Sequence, residues 1–246
     1  FRSQRVVRDD RVTTHVALVS RAFGAEKIFM TEVNPEIKDT LEKINNTWGG
    51  KFIVEFIDNW KSVIKNKKKE GFKIFLDLKF HDIPNTVMKA CEAASRLNVD
   101  IINVHALGGK EMMVAAKSAV SGKKIKLIGV TLLTSHNKDF LEEIGLKGNI
   151  NDCVKRLALS VAESGLDGIV CAAPDIPNIQ KYLPSDFVFI TPGIRLGHIN
   201  GDDQKRAASP TDAVNFGSNI LVIGRPITGA SNPNEVLHQI YNQLCN

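Results

Sequence analysis

The chain has 246 residues, of which 43% are hydrophobic and 24% charged, with a formal net charge of +5 and a pI near 9.0. This is ordinary globular composition, and the length suits one large α/β domain, or at most two small ones. No apolar run approaches the roughly 20 residues of a membrane span, and the N-terminus lacks the charged-then-apolar pattern of a signal peptide, so a cytoplasmic protein is expected.

Taken in order, a short basic start leads into Val12, Val16, Val19 and Phe23 at helical spacing, with Thr13 and Thr14 near the helix start and Gly24 at its stop. Lys27 to Val33 reads as a strand, and Pro35 opens a helix that turns Ile37, Leu41 and Ile44 inward and stops at Gly49 and Gly50. A strand at 51–57 follows. The next helix, capped near Asp58 or Asn59, buries Trp60, Val63 and Ile64, carries its lysines toward the C-terminal dipole and ends at Gly71. Further strands are predicted at 73–79, 100–105, 126–133, 167–172, 187–191 and 219–224. Helical patterns lie between them, such as Val87, Ala90, Cys91, Ala94 and Leu97, then Val154, Leu157, Ala158 and Val161, and the chain closes with Val236, Leu237, Ile240 and Leu244. Eight βα units in about 220 residues meet the requirement of a parallel (β/α)8 barrel of the TIM type, read here as a single domain over 1–246. An open doubly wound sheet is the alternative, because counting strands does not prove closure.

The stretch that organises the rest is KIFLDLKFHDIPNT at 73–86. Strand alternation places Phe75, Asp77 and Lys79 on one side and Ile74, Leu76 and Leu78 on the other, so an acid and a base project together from a strand end. Such a pair is either a salt bridge at the rim of a sheet or part of a working charge array. The strand is apolar enough to be buried on both faces, and a second carboxylate, Asp82, follows, which favours the array.

Groups just after the other strands are candidates for the same reason. His105 ends the fourth strand, as a packed residue or a catalyst. Thr131, Thr134 and Ser135 end the fifth, where hydroxyls can bond a polar ring or cap a helix. The seventh unit supplies Thr191 to Arg195 (TPGIR) and the polar loop GDDQKR with Gln204; the eighth supplies IGRPIT with Gly224 and Arg225. Phosphate sites of such barrels are built from these two loops, with glycine allowing close approach and arginine offering a two-pronged donor, so a phosphorylated ligand is expected. The positive charge, concentrated before residue 75, suits a phosphate ester and would also suit RNA. Four scattered cysteines, Cys91, Cys153, Cys171 and Cys245, point to packed thiols rather than to disulfides or zinc.

FLDLKFHDIPNT, NVHALGG, VTLLTS, DGIVCAA, TPGIR, GDDQKR and LVIGRPIT, in this order, resemble the bacterial orotidine 5′-monophosphate decarboxylases over residues 72–246. The resemblance implies a homodimeric (β/α)8 barrel that converts orotidine 5′-monophosphate (OMP) to UMP and CO2 with no metal or organic cofactor. It implies Lys79 as proton donor to C6, Asp77 flanking it, and Asp82 reaching into the partner's site with Thr86 beside it. Thr134 would contact the pyrimidine, and Arg195, Gln204, Gly224 and Arg225 would hold the phosphate.

That family also implies an Asp at the end of the first strand and a Lys at the end of the second. Here these positions read Thr31-Glu32-Val33-Asn34 and Phe56-Ile57-Asp58-Asn59; Glu32 is the candidate stand-in for the Asp, while Lys51 and Lys61 lie off the strand end. RDDRVTTHVALVSRAFGAEKIF, the WGG at 48–50 and VEFIDNWKSVI instead resemble the N-terminal part of archaeal tRNA ribose 2′-O-methyltransferases of the SPOUT class, over residues 5–72. The expectation is a chimera: flavodoxin-like βα units at 1–72 supply the first two strands of a barrel whose units three to eight occupy 73–246. Its activity is either impaired decarboxylation, phosphate binding without turnover, or residual tRNA binding. Nucleic-acid partners and membrane attachment are not expected.

Overall fold

A parallel strand pair cannot be joined by a tight turn, so short apolar segments alternating with amphipathic ones fold as strand, crossover helix, strand. The computed structural model describes residues 27–30, 53–56, 60–197 and 206–245. β1 (Lys27–Met30) and β2 (Ile53–Phe56) pair in parallel, Lys27 opposite Ile53 and Met30 opposite Phe56. A second sheet, also parallel throughout, holds β3 (Phe75–Phe80), β4 (Ile101–His105), β5 (Lys126–Val130), β6 (Gly168–Val170), β7 (Val188–Thr191) and β8 (Ile220–Leu221) in chain order. The eight predicted strands are all present. The helices expected at 12–23 and from Pro35 to Gly49 lie outside the described residues.

The strands are shorter than their apolar runs. β5 stops at Val130 although the run continues to Leu133, and β8 keeps only two residues of the six expected. At these ends the chain leaves the ladder for loops; Leu132 is buried without belonging to a strand, while Leu133 and Val222 are exposed. Two compact units divide the described chain, one within 1–63 and 224–239, the other within 64–223 and 240–245.

In the larger unit, the central strands β4 and β5 bury Ile102, Val104, Leu127 and Ile128 completely. Against them pack α2 (Pro84–Ser95) through Val87, Cys91 and Ala94, α3 (Gly109–Val120) through Met112, Met113 and Ala116, and α5 (Ile150–Glu163) through Val154, Ala158 and Val161. α1 (Trp60–Lys69) carries its three last-turn lysines at the C-terminal end, as the helix dipole favours, and α4 (Lys138–Glu143) is capped by the Asn137 side chain, which accepts the Phe140 N–H. Cys91, Cys153 and Cys171 are buried free thiols, as expected, and burial pushes the Cys91 thiol up to about 11; Cys245, by contrast, is exposed.

A repeated device sits at the strand starts. The residue just before β4, β6 and β8 (Asp100, Asp167 and Asn219) accepts through its side chain the backbone N–H of the preceding strand: Ile74 at 2.7 Å, Leu127 at 2.8 Å and Phe189 at 2.8 Å. Each returns its own N–H to the carbonyl of that same residue. Asp100 and Asp167 add bidentate contacts from Lys68 and Lys117, at 2.8–2.9 Å and 2.8 Å. The sheet is thereby stapled in pairs, 3 with 4, 5 with 6 and 7 with 8.

Burial alone raises the Asp100 carboxyl, but hydrogen bonds from Lys68 and the Ile74 N–H, with the charges of Lys68 and Lys73, more than offset this and leave its pKa lowered. A carboxylate whose pKa is depressed by folding contributes stability that is complete above its unfolded value of about 4 and is lost as pH falls through the folded value. Asp100→Asn is therefore expected to lower the urea midpoint at pH 7, and the gap to the parent should narrow progressively below about pH 4. A gap that stays constant across this range rules out the assignment.

Candidate active site

β3 carries the pair. Lys79 Nζ lies 2.7 and 2.6 Å from Asp77 Oδ1 and Oδ2, so ammonium and carboxylate meet as the alternation anticipates. The path to that meeting is different. The register against β4 shifts between Leu76 and Phe80, a bulge, and Lys79 adopts φ of +48°, a left-handed conformation that disfavours a side chain by roughly 1–2 kcal/mol. The strand is not buried on both faces as expected. Asp77 and Lys79 keep 44% and 39% of their side-chain surface exposed, and Leu78 is exposed as well, where the bulge turns these residues out of the ladder.

Behind the pair stands Asn103, wholly buried in the middle of β4. Its carboxamide oxygen accepts the Lys79 backbone N–H at 2.8 Å, and its Nδ2 donates to Asp77 Oδ1 at 2.6 Å. The sequence contained the signal, an asparagine inside the apolar run DIINVH, since a buried amide must find partners; the reading of the sequence gave it no role.

Asp82 Oδ1 accepts the N–H of Ile83 at 2.6 Å, and the Thr86 N–H donates to the Ile83 carbonyl at 3.0 Å, forming the entry to α2 with Asp82, Ile83 and Thr86 all exposed. His105 ends β4 with its ring 5.4 Å from that of His81. Burial first, then the charges of His81 and Lys79, lower its pKa against the pull of Asp77. A side chain at Gly108 would meet the Met112 thioether, which would have to shift within the core where Met112 is buried. Thr131 turns its hydroxyl to the Val170 carbonyl at 2.8 Å, joining the ends of β5 and β6 instead of capping a helix, while Thr134 is buried in the loop that follows.

After β7, the chain folds back on itself through a bridge between Ile194 and Ala208, with the Arg195 N–H donating to the Ala208 carbonyl at 2.9 Å. The Arg195 side chain is buried and donates to the Ile194 carbonyl at 2.9 Å. Gln204 lies outside the described residues. Gly224 precedes α6 (Arg225–Thr228), and a side chain at 224 would meet no atom of the described residues within 4 Å.

A second pair escaped the sequence reading. Arg206, the last residue of GDDQKR, makes a bidentate ion pair with buried Asp175 at 2.8 and 2.6 Å, and its other nitrogen donates to the Leu133 carbonyl at 3.0 Å. Asp175 also accepts the Ala172 N–H at 3.2 Å. Three loops, those after β5, β6 and β7, thus converge on one guanidinium. Burial raises the Asp175 pKa, and Arg206 only partly opposes it.

Comparison with known proteins now bears on this arrangement. The model of the "Orotidine 5'-phosphate decarboxylase / HUMPS family" matches residues 29–240. The chain belongs to this family. The decarboxylase of Nitrosomonas eutropha is 50% identical over 182 residues, 74% of this chain and 79% of that one, and that of Hydrogenovibrio crunogenus is 50% identical over 173 residues, 70% and 73% of the two chains. Among solved structures, orotidine 5′-phosphate decarboxylase from Lactobacillus acidophilus superposes with a TM-score of 0.66 at 32% identity, covering 90% of this chain and 99% of that one. The fold is accordingly of the TIM-type α/β kind expected of the decarboxylase family. The family match begins at residue 29, inside the stretch expected to come from a methyltransferase, and none of these matches supports that expectation. Among the described residues no helix is long and apolar enough to cross a membrane.

Removing one partner of a buried ion pair leaves the other charge uncompensated, at a cost of about 3–5 kcal/mol. Arg206→Met is expected to destabilise by that order at pH 7. Asp175, whose pKa is already raised, then gains stability from protonation, so the deficit should shrink as pH falls toward 5. Urea unfolding at the two pH values checks this; a deficit that grows on acidification contradicts it.

Proposed function

We propose that the chain decarboxylates orotidine 5′-phosphate to UMP and CO2, with Lys79 and Asp77 at the reacting carbon. The observation that carries this reading is the Lys79–Asp77 ion pair at a strand end, in a chain 50% identical to decarboxylases of the family. Heterolysis of the bond from C6 to the carboxylate leaves the electron pair on a carbon with no conjugated sink. A fixed ammonium beside that carbon stabilises the charge as it develops and then supplies the proton. Lys79 takes that role, its lost proton being replaced from solvent, and no metal or organic cofactor is invoked. Asp77 stands beside the departing carboxylate. Holding two carboxylates near each other opposes binding, and contacts to the remote phosphate offset this. Arg195, Gln204, Gly224 and Arg225 are the phosphate ligands, Arg195 already ordered by its own loop, and Thr134 reads the pyrimidine. Glu32 is the candidate ribose ligand.

The working unit is proposed to be a homodimer of single-domain, closed eight-stranded barrels in the cytoplasm, with Asp82 and Thr86 entering the partner's site. The exposed apolar side chain of Ile83, directly after Asp82 in the chain, supports it. Residues 5–72 are proposed to descend from a SPOUT methyltransferase segment on the strength of the motifs quoted above; the family match from residue 29 is the observation this ancestry must accommodate.

The loss of orotidylate absorbance measures turnover. Lys79→Ala is expected to lower kcat by on the order of a thousandfold or more, and Arg225→Ala to raise KM with a smaller effect on kcat. Turnover retained by the lysine variant refutes its role. If Asp82 acts across the dimer, mixing inactive Lys79→Ala and Asp82→Ala chains should regenerate about a quarter of parental activity, since half the dimers are mixed and one of their two sites is intact. Absence of any recovery with confirmed subunit exchange argues against shared sites.

A further inference from the structure

The Lys79–Asp77 pair is half exposed, and an exposed ion pair by itself holds its geometry weakly. Both members are nevertheless fixed from behind. Lys79 has left the β3–β4 ladder at the bulge, so its backbone N–H has lost the ladder acceptor, and its left-handed φ of +48° keeps it from returning. The Asn103 oxygen takes that N–H, and the Asn103 amino group takes the near oxygen of Asp77, at 2.8 and 2.6 Å. A single planar carboxamide therefore sets the spacing between the lysine backbone and the aspartate carboxylate. The carboxamide offers an acceptor and a donor on one rigid plane without having to take up a proton. Asn103 is itself immobilised: it is wholly buried, flanked in β4 by Ile102 and Val104, both fully buried as well.

We infer that Asn103 is a positioning residue for the reaction, holding the β3 bulge so that the Lys79 ammonium and the Asp77 carboxylate face the substrate in fixed register. This rests on the decarboxylase reading for its kinetic consequence, but its structural core, the hydrogen bond that the Lys79 backbone N–H donates to Asn103, does not. Two substitutions separate the two hydrogen bonds. Asn103→Ala removes both. Asn103→Asp keeps an acceptor for the Lys79 N–H and, assayed at a pH high enough to ionise both carboxyls, replaces the donor to Asp77 with a like charge; at lower pH the shared proton restores a donor, so kcat should recover as pH falls.

The test combines steady-state kinetics with orotidylate, UMP titration and amide hydrogen exchange at Lys79 on the full chain. In Asn103→Ala, kcat should fall between about tenfold and a hundredfold, because a small displacement of a reacting group has that effect. KM and the UMP dissociation constant should stay within about threefold, and exchange at the Lys79 amide should accelerate at least about tenfold while amides of β5 keep their protection. Asn103→Asp should retain protection at Lys79 and still lose kcat, which a merely structural residue would not produce. Parental kcat in both variants, or unchanged exchange at Lys79 in Asn103→Ala, overturns the inference, as does a loss of kcat matched by equal loss of UMP binding. If Asn103→Ala does not fold, the Asp variant decides: parental kcat with protected Lys79 overturns the role, and reduced kcat with protected Lys79 supports it. If the parent itself fails to turn over orotidylate, the functional reading fails, and the exchange at Lys79 still decides whether Asn103 holds the bulge.

Discussion

A peptide N–H that leaves a ladder inside a sheet must find another acceptor or leave a buried donor unsatisfied, and at Lys79 that acceptor is the Asn103 carboxamide. Much of the candidate site follows from this one substitution of a side chain for a backbone carbonyl. The bulge lets Lys79 turn its ammonium back onto Asp77, two residues earlier on the same strand, and the same carboxamide fixes the Asp77 oxygen. The left-handed backbone at Lys79 is the strain such an arrangement requires, and the buried asparagine offsets it.

The two ends of the larger sheet are put to different uses. At the strand starts, Asp100, Asp167 and Asn219 each close a reciprocal pair of hydrogen bonds with the strand before them, two of them reinforced by a lysine from a neighbouring helix. These contacts satisfy backbone groups where the ladder begins, and they belong to stability. Toward the other ends stand the candidate groups: Asp77 and Lys79 on β3, Thr134 after β5, Arg195 after β7. That division is the one expected when chemistry gathers at the C-terminal face of parallel strands.

The Arg206 guanidinium is a second organising point, and it is internal. By pairing with Asp175 and bonding the Leu133 carbonyl, it couples the loop holding Thr134 to the loop that continues from Arg195. Long polar loops are free to move unless an interaction of this kind anchors them. A charge pair buried at such a junction gives little net stability but discriminates strongly against other loop arrangements, because every alternative leaves a charge unpaired.

The alternation of apolar runs with amphipathic ones was enough to place all eight strands in order, since that pattern depends only on local periodicity. The Asp77, Lys79 and Asp82 row was legible for the same reason, being contained in one strand and its turn. Asn103, Asp175 and Arg206 were not read, although DIINVH and GDDQKR were in view, because the partner of each lies 26 or more residues away and a side chain's role is set by that partner. The expectation that β3 is buried on both faces failed because hydrophobic content reports a preference for burial, while the bulge decides which side chains obtain it. The sequence by itself determined the strand order, the family and the identity of the charged pair, all of which follow from neighbours along the chain. Only the tertiary structure decided how that pair is held, because hydrogen bonds between strands depend on register, and register is fixed where two distant segments meet.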